Sequence, residues 1–185
     1  MLRHVARIAN ILCAALVIAG AASNARAEEK MNAAIAEAPS PAAAQFDRIK
    51  SLAGTWTGTA GFGDGEDSPT EITYRVTAGG STVIETLFGG SEHEMITMYH
   101  MNGGELMLTH YCATGNQPRM RLVPNADPNT LVFDFLDASN MKSADQHMHS
   151  AKITFVDADH VRSSWTSYAD GKPAGDAKFD IARKK

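Results

Sequence analysis

From Leu52 onward, short runs of β-branched, aromatic and aliphatic residues alternate with clusters of Gly, Asn, Asp and Pro. That rhythm predicts an all-β barrel or sandwich. About ten strands are predicted, near residues 53–62, 70–78, 81–89, 93–102, 104–112, 118–124, 130–137, 147–157, 160–169 and 176–183. Turn chemistry separates them at Gly79-Gly80, Asn102-Gly103-Gly104, Asp127-Pro128-Asn129, Asp157-Ala158-Asp159 and Asp170-Gly171. Side chains along a strand repeat every two residues, so alternation assigns faces. Ile72, Tyr74 and Val76 oppose Glu71, Thr73 and Arg75; Leu131, Phe133 and Phe135 share a face, as do Ile153 with Phe155 and Phe179 with Ile181. Consecutive, tightly connected strands with one apolar face imply a meander, and about ten of them remove their edges by closing. The expected fold is an antiparallel up-and-down β-barrel of about ten strands, preceded by a short helical turn from Ala42 towards Leu52.

The first residues read differently. Arg3, His4 and Arg7 precede an apolar run, Ile8–Ala22, and Ala25-Arg26-Ala27 follows as an A-x-A cleavage site. This is the layout of a signal peptide over residues 1–27. The run is shorter than the roughly 20 residues a membrane-spanning helix needs. Residues 28–45, rich in Ala, Glu and Pro, read as a flexible leader, and 46–185 as one domain with one core. Cleavage leaves 14 Lys and Arg against 21 Asp and Glu, a formal charge of −7. That balance argues against nucleic acid or an anionic membrane as partner. Cleavage also removes Cys13, so Cys112 is the one remaining cysteine and no internal disulfide can form. An exported protein, periplasmic or secreted, is expected.

The segment Leu52-Ala53-Gly54-Thr55-Trp56-Thr57-Gly58 resembles the G-x-W start of the calycin barrels: lipocalins, fatty-acid-binding proteins and nitrobindin-like haem proteins. The resemblance implies that Phe46–Ser51 forms a helical turn before the first strand and that Trp56 plugs one end of the barrel. It is closest to the nitrobindin-like branch at LxGxWxG, and stops there: that branch's Tyr-Pro is absent and the last strand holds no histidine. By resemblance, such a barrel binds a small hydrophobic molecule in its interior. The inward residues expected to line that space are Tyr74, Glu85, Met95, Tyr99, His110, Met120, Phe133 and Trp165.

Two constellations add chemistry. With a turn at Asn102-Gly103, His93 faces Cys112 and Met95 faces His110. A turn at Gly103-Gly104 keeps the same faces. His93, Met95, His110 and Cys112 then form a soft metal-ligand patch suited to copper, zinc or haem iron, with His147 and His149 in phase to join it. The alternative is that Met and Cys simply fill the core. Cys112 beside His93 is also the arrangement that would activate a thiol. With Gly79-Gly80 as turn, Glu85 pairs with Tyr74 on an apolar face, either gripping a ligand's polar end or reaching solvent at a strand end. Arg119 and Arg121 lie either at the barrel mouth or on the solvated outer face. Three functions stay open: a carrier of a hydrophobic ligand, a metal or haem protein, and a ligand-free envelope interaction domain.

Overall fold

The computed structural model describes residues 40–185. The expected signal peptide, residues 1–27, and residues 28–39 of the expected leader lie outside the described residues. Ten antiparallel strands form one closed barrel: β1 (Gly54–Phe62), β2 (Ser68–Thr77), β3 (Thr82–Leu87), β4 (Met95–Asn102), β5 (Glu105–Tyr111), β6 (Gln117–Val123), β7 (Thr130–Ser139), β8 (His147–Phe155), β9 (His160–Ala169) and β10 (Lys172–Arg183). Each strand pairs with its neighbours in sequence, and β10 pairs with β1 to close the ring. Among the described residues, closure leaves the barrel without an open sheet edge.

The helix α1 (Pro41–Lys50) begins five residues ahead of the expected domain start. Ser40 caps it, its hydroxyl accepting from the Ala43 N–H at 3.1 Å. Pro41 occupies the first turn, where its missing N–H costs nothing, so here proline starts a helix rather than extending a leader. Phe46 and Ile49 turn inward and are buried. Together with Leu52 they join the barrel core.

The LxGxWxG residues each have a physical reason. Trp56 is fully buried, and its indole N–H donates to the Leu52 carbonyl at 2.8 Å. The Arg183 guanidinium stacks 4.3 Å from the Trp56 ring and donates to the Ala53 and Ser51 carbonyls, both at 2.9 Å. The last strand is thereby stitched to the corner between α1 and β1. Gly54 sits at φ +132°, where a side chain would be strained. Gly58 lies so close to β10 that a Cβ would fall 2.0 Å from the Asp180 carbonyl oxygen. The two ends of the barrel therefore differ: α1 and Trp56 cover one, and the opposite rim collects the ends of odd-numbered strands and the starts of even-numbered ones.

Candidate functional site

Towards the helix end, the register places Glu85 directly between Tyr74 and Thr97. The Tyr74 and Tyr99 hydroxyls donate to its two oxygens, each at 2.7 Å. Burial raises the Glu85 pKa above the usual carboxylate value, while the hydroxyls of Tyr74, Tyr99 and Thr97 oppose that shift. Burial, and then the Glu85 charge, push both tyrosines well above 10, so they remain donors. Glu85 thus does not reach solvent at a strand end; its two oxygens are held by the two tyrosines. Met120 and Phe133 are fully buried, and Phe133 packs edge-on to Tyr99 at 6.0 Å. These five of the predicted lining residues sit in a packed core.

The rim is built otherwise. Phe62 ends β1, Phe88 follows β3 and Phe179 lies in β10; their ring centroids are 6.1 to 6.4 Å apart. Phe62 is 51% exposed. Phe88 adopts φ +55°, a left-handed backbone unusual for a bulky side chain. Strain of this kind persists where surrounding structure over-determines it, often at ligand clamps. Phe62, Phe88 and Met95, with Pro69, Thr70 and Ala113, line a cleft of about 540 Å³. Deeper lies a second cavity of about 20 Å³ between Leu87, His110, Met148, Trp165, Ala177 and Phe179. Phe62 and Met95 line both spaces and so stand between them.

His110 and Trp165 meet at the inner cavity, ring centroids 5.0 Å apart. Trp165 faces Ala151 on one neighbouring strand and Ala177 on the other, two small buried residues that leave room for the indole. His110 Nδ1 lies 3.0 Å from the Thr97 hydroxyl. Desolvation lowers the His110 pKa to about 4, so the ring is neutral at neutral pH. Among the described residues, His110 Nε2 and Trp165 Nε1 are both buried without a hydrogen-bond partner, as are the Ser163 hydroxyl and the Thr70 hydroxyl beside the outer cleft. Of the predicted lining set, Met95, His110 and Trp165 therefore meet at cavities.

The metal-ligand patch does not assemble. The β4–β5 turn is Gly103-Gly104, so Asn102 faces Glu105 and Thr97, not Met95, faces His110. His93 precedes β4, in the connection from β3, with its side chain 74% exposed. Cys112 has left β5 and opens the turn closed by the Gly115 N–H to its carbonyl. The His93–Cys112 pair, and the activated thiol it would make, is thus not formed. Among the described residues, no three His, Cys, Asp or Glu side chains converge to hold a metal ion. A bulge between Met148 and Ser150 breaks the alternation that placed His147 and His149 with Ile153. Met148 takes the cavity position instead. His147 has both ring nitrogens engaged, with the Asp145 carbonyl at 2.9 Å and His149 Nδ1 at 3.0 Å, and His149 is stacked between Phe135 and Tyr168. Arg119 pairs with Asp137 on the exposed surface.

The sequence reading missed Phe62 and Phe88 as wall residues. A signal was there: in an up-and-down barrel the ends of β1 and β3 meet at one rim, and each carries a Phe just before glycine.

No protein-family model matches the chain, and neither does any curated protein. Among solved structures, it is similar to a protein of unknown function from the DUF3598 family of Nostoc punctiforme, at 15% identity and TM-score 0.52 over 74% of this chain and 49% of that one. It is also similar to Rv2717c from M. tuberculosis, at 14% identity and TM-score 0.52 over 80% of this chain and 100% of that one. The chain spans about half the length of the DUF3598 structure. At these identities the likeness is one of fold, and a closed ten-strand barrel fits the calycin-like architecture.

Proposed function

We propose that this is an exported carrier or receptor that takes a small hydrophobic molecule into the rim cleft, beneath Phe62 and Phe88, rather than into the middle of the barrel. The export part rests on the basic start, the apolar run and Ala25-Arg26-Ala27. The observation that carries the binding part is the cleft of about 540 Å³ walled by Phe62, Phe88 and Met95. Its size suits a small ligand, and apolar walls with a few polar atoms are the usual composition of such sites. The packed core around Glu85 supplies a rigid base for it.

Fluorescence titration with 1-anilinonaphthalene-8-sulfonate tests the proposal. Saturable binding at one site per chain is expected, weakened about tenfold in Phe62→Ala and Phe88→Ala. Absence of saturable binding by the folded protein, or binding indifferent to both substitutions, would refute it.

A further inference from the structure

We infer that the rim cleft selects an amphiphilic cation, a ligand whose apolar body lies against Phe62, Phe88 and Met95 and whose protonated amine or quaternary ammonium faces the acidic connections at the cleft mouth. This rests on the cleft being the binding site and adds the charge class of its ligand.

Charge along the chain is one-sided. From residue 51 to residue 118 the sequence carries eight acidic residues and one basic residue, Arg75. Arg75 follows Tyr74, which pairs with Gly54 at the helix end, away from the rim. Four of the acids, Asp64, Glu66, Glu92 and Glu94, fall in the two connections that frame the cleft: β1–β2, between the lining residues Phe62 and Pro69, and β3–β4, between Phe88 and Met95. All four are exposed. Glu92 Oε1 lies 3.7 Å from Nε2 of His93, which lines the cleft. Glu94 accepts from the Gly90 N–H at 2.6 Å, and its Oε2 would lie 3.9 Å from a Cβ on Gly89, another lining residue. Among the described residues, none of the four forms an ion pair with Lys or Arg. The neighbouring acids are already matched. Glu71 pairs with Lys184 at 2.9 Å, and Asp67 shares a depression on the outer wall with Lys178.

The cleft supplies the other half of the recognition. Neither Lys nor Arg lines it. Phe62 is 51% exposed, and the face of an aromatic ring attracts a cation. Apolar walls bordered by charge of one sign focus the field into the opening and raise the local concentration of the opposite sign. A fatty-acid carboxylate or a sulfonate meets the same field and is disfavoured. Each exposed carboxylate contributes little alone, so the selectivity comes from the set and is screened by salt. The carboxylates are not themselves the binding site; they set the charge at the mouth of an apolar one.

The experiment is displacement of an uncharged dye, N-phenyl-1-naphthylamine, from the full protein at pH 7.5 by decyltrimethylammonium, 1-decanol and decanoate, each below its micelle-forming concentration. It is run at 10 mM and at 0.5 M NaCl, on the wild type and on the triple variant Asp64→Asn, Glu66→Gln, Glu92→Gln. These three side chains are in solvent, so the variant keeps the fold. Glu94 is left in place because it holds the Gly90 N–H. At low salt the cation should compete about tenfold more tightly than decanoate, with 1-decanol between them. The gap should close at 0.5 M NaCl, where the screening length falls to about 4 Å. It should also narrow at low salt in the triple variant, with 1-decanol unchanged. Affinity for 1-anilinonaphthalene-8-sulfonate, an anion, should rise with salt. Equal competition by cation and anion, or tighter binding of decanoate, would overturn the inference and leave the cleft standing. A cation preference undiminished in the triple variant would overturn it as well, since these carboxylates would not be its source. Failure of the uncharged dye itself to bind would sink both readings.

Discussion

Towards the helix end, Glu85 lies in the buried core with an oxygen bonded to each of Tyr74 and Tyr99, and the Trp56 indole N–H donates to Leu52. At the rim, His110 and Trp165 are equally buried, yet each keeps a polar atom unused, and Phe88 holds a left-handed backbone to reach Phe62. The contrast separates two jobs within one sheet. Satisfied polar groups and a plugged base stabilise a unique core. Unpartnered polar atoms and local strain at the rim cost stability, and they lie beside the proposed binding cleft.

The largest effect that would break this contrast is at Glu85. Glu85→Ala strands two buried tyrosine hydroxyls and opens a void, so it should cost about 3–5 kcal/mol in urea denaturation. A loss below about 1 kcal/mol would mean the triad is not a stabilising base. The next effect is pH dependence. His110 is depressed in the folded state to about 4 from an ordinary value of 6.5. The unfolded chain therefore binds more protons between those values. The stability that depends on neutral His110 is present above pH 6.5 and is lost as pH falls towards 4, by up to roughly 3 kcal/mol. Glu85 acts with the opposite sign: its folded pKa is raised, so its contribution declines as pH rises above 4.5. In His110→Leu the loss of stability from pH 6.5 down to 4 should shrink. An unchanged acid limb would place the dependence elsewhere.

Smaller effects sharpen the rim's side of the comparison. Phe88→Gly removes a ring but relieves backbone strain of about 1 kcal/mol. The melting temperature should therefore move little while dye affinity falls. Thr70→Val removes an unpartnered buried hydroxyl at nearly constant shape and should be neutral or slightly stabilising. His93→Ala should change stability by no more than about 0.5 kcal/mol, because its side chain is in solvent.

Much of the frame was legible along the chain. Strict alternation in β2 and β3, with glycines between them, placed Tyr74 opposite Glu85, and the register agrees. The Trp56 segment marked the plugged end. What failed were inferences that depend on a single residue of phase. The β4–β5 turn lies one residue later than an Asn-Gly hairpin would put it, which moves the register by two, so Thr97 and not Met95 faces His110, although Met95 and His110 still share a face. The bulge at Met148–Ser150 exchanges which of Met148 and the histidines enters the cavity. Local sequence encodes the period of a strand well. It encodes an inserted residue poorly, because a bulge is stabilised by the neighbouring strand.

By itself, the sequence determined the barrel: an alternation of apolar and polar residues with turn residues at each interval has few other ways to bury one face. It also put Glu85 opposite Tyr74 on an apolar face, while leaving open whether the carboxyl reached solvent. Only the tertiary structure decided what that carboxylate does, because its partners come from two different strands. It alone decided that the centre is packed and the space lies at the rim, since a cavity is a difference between the summed shapes of distant side chains. Phe62, Phe88, His110 and Trp165 belong to β1, the β3–β4 connection, β5 and β9. Closure of the ring is what brings them together.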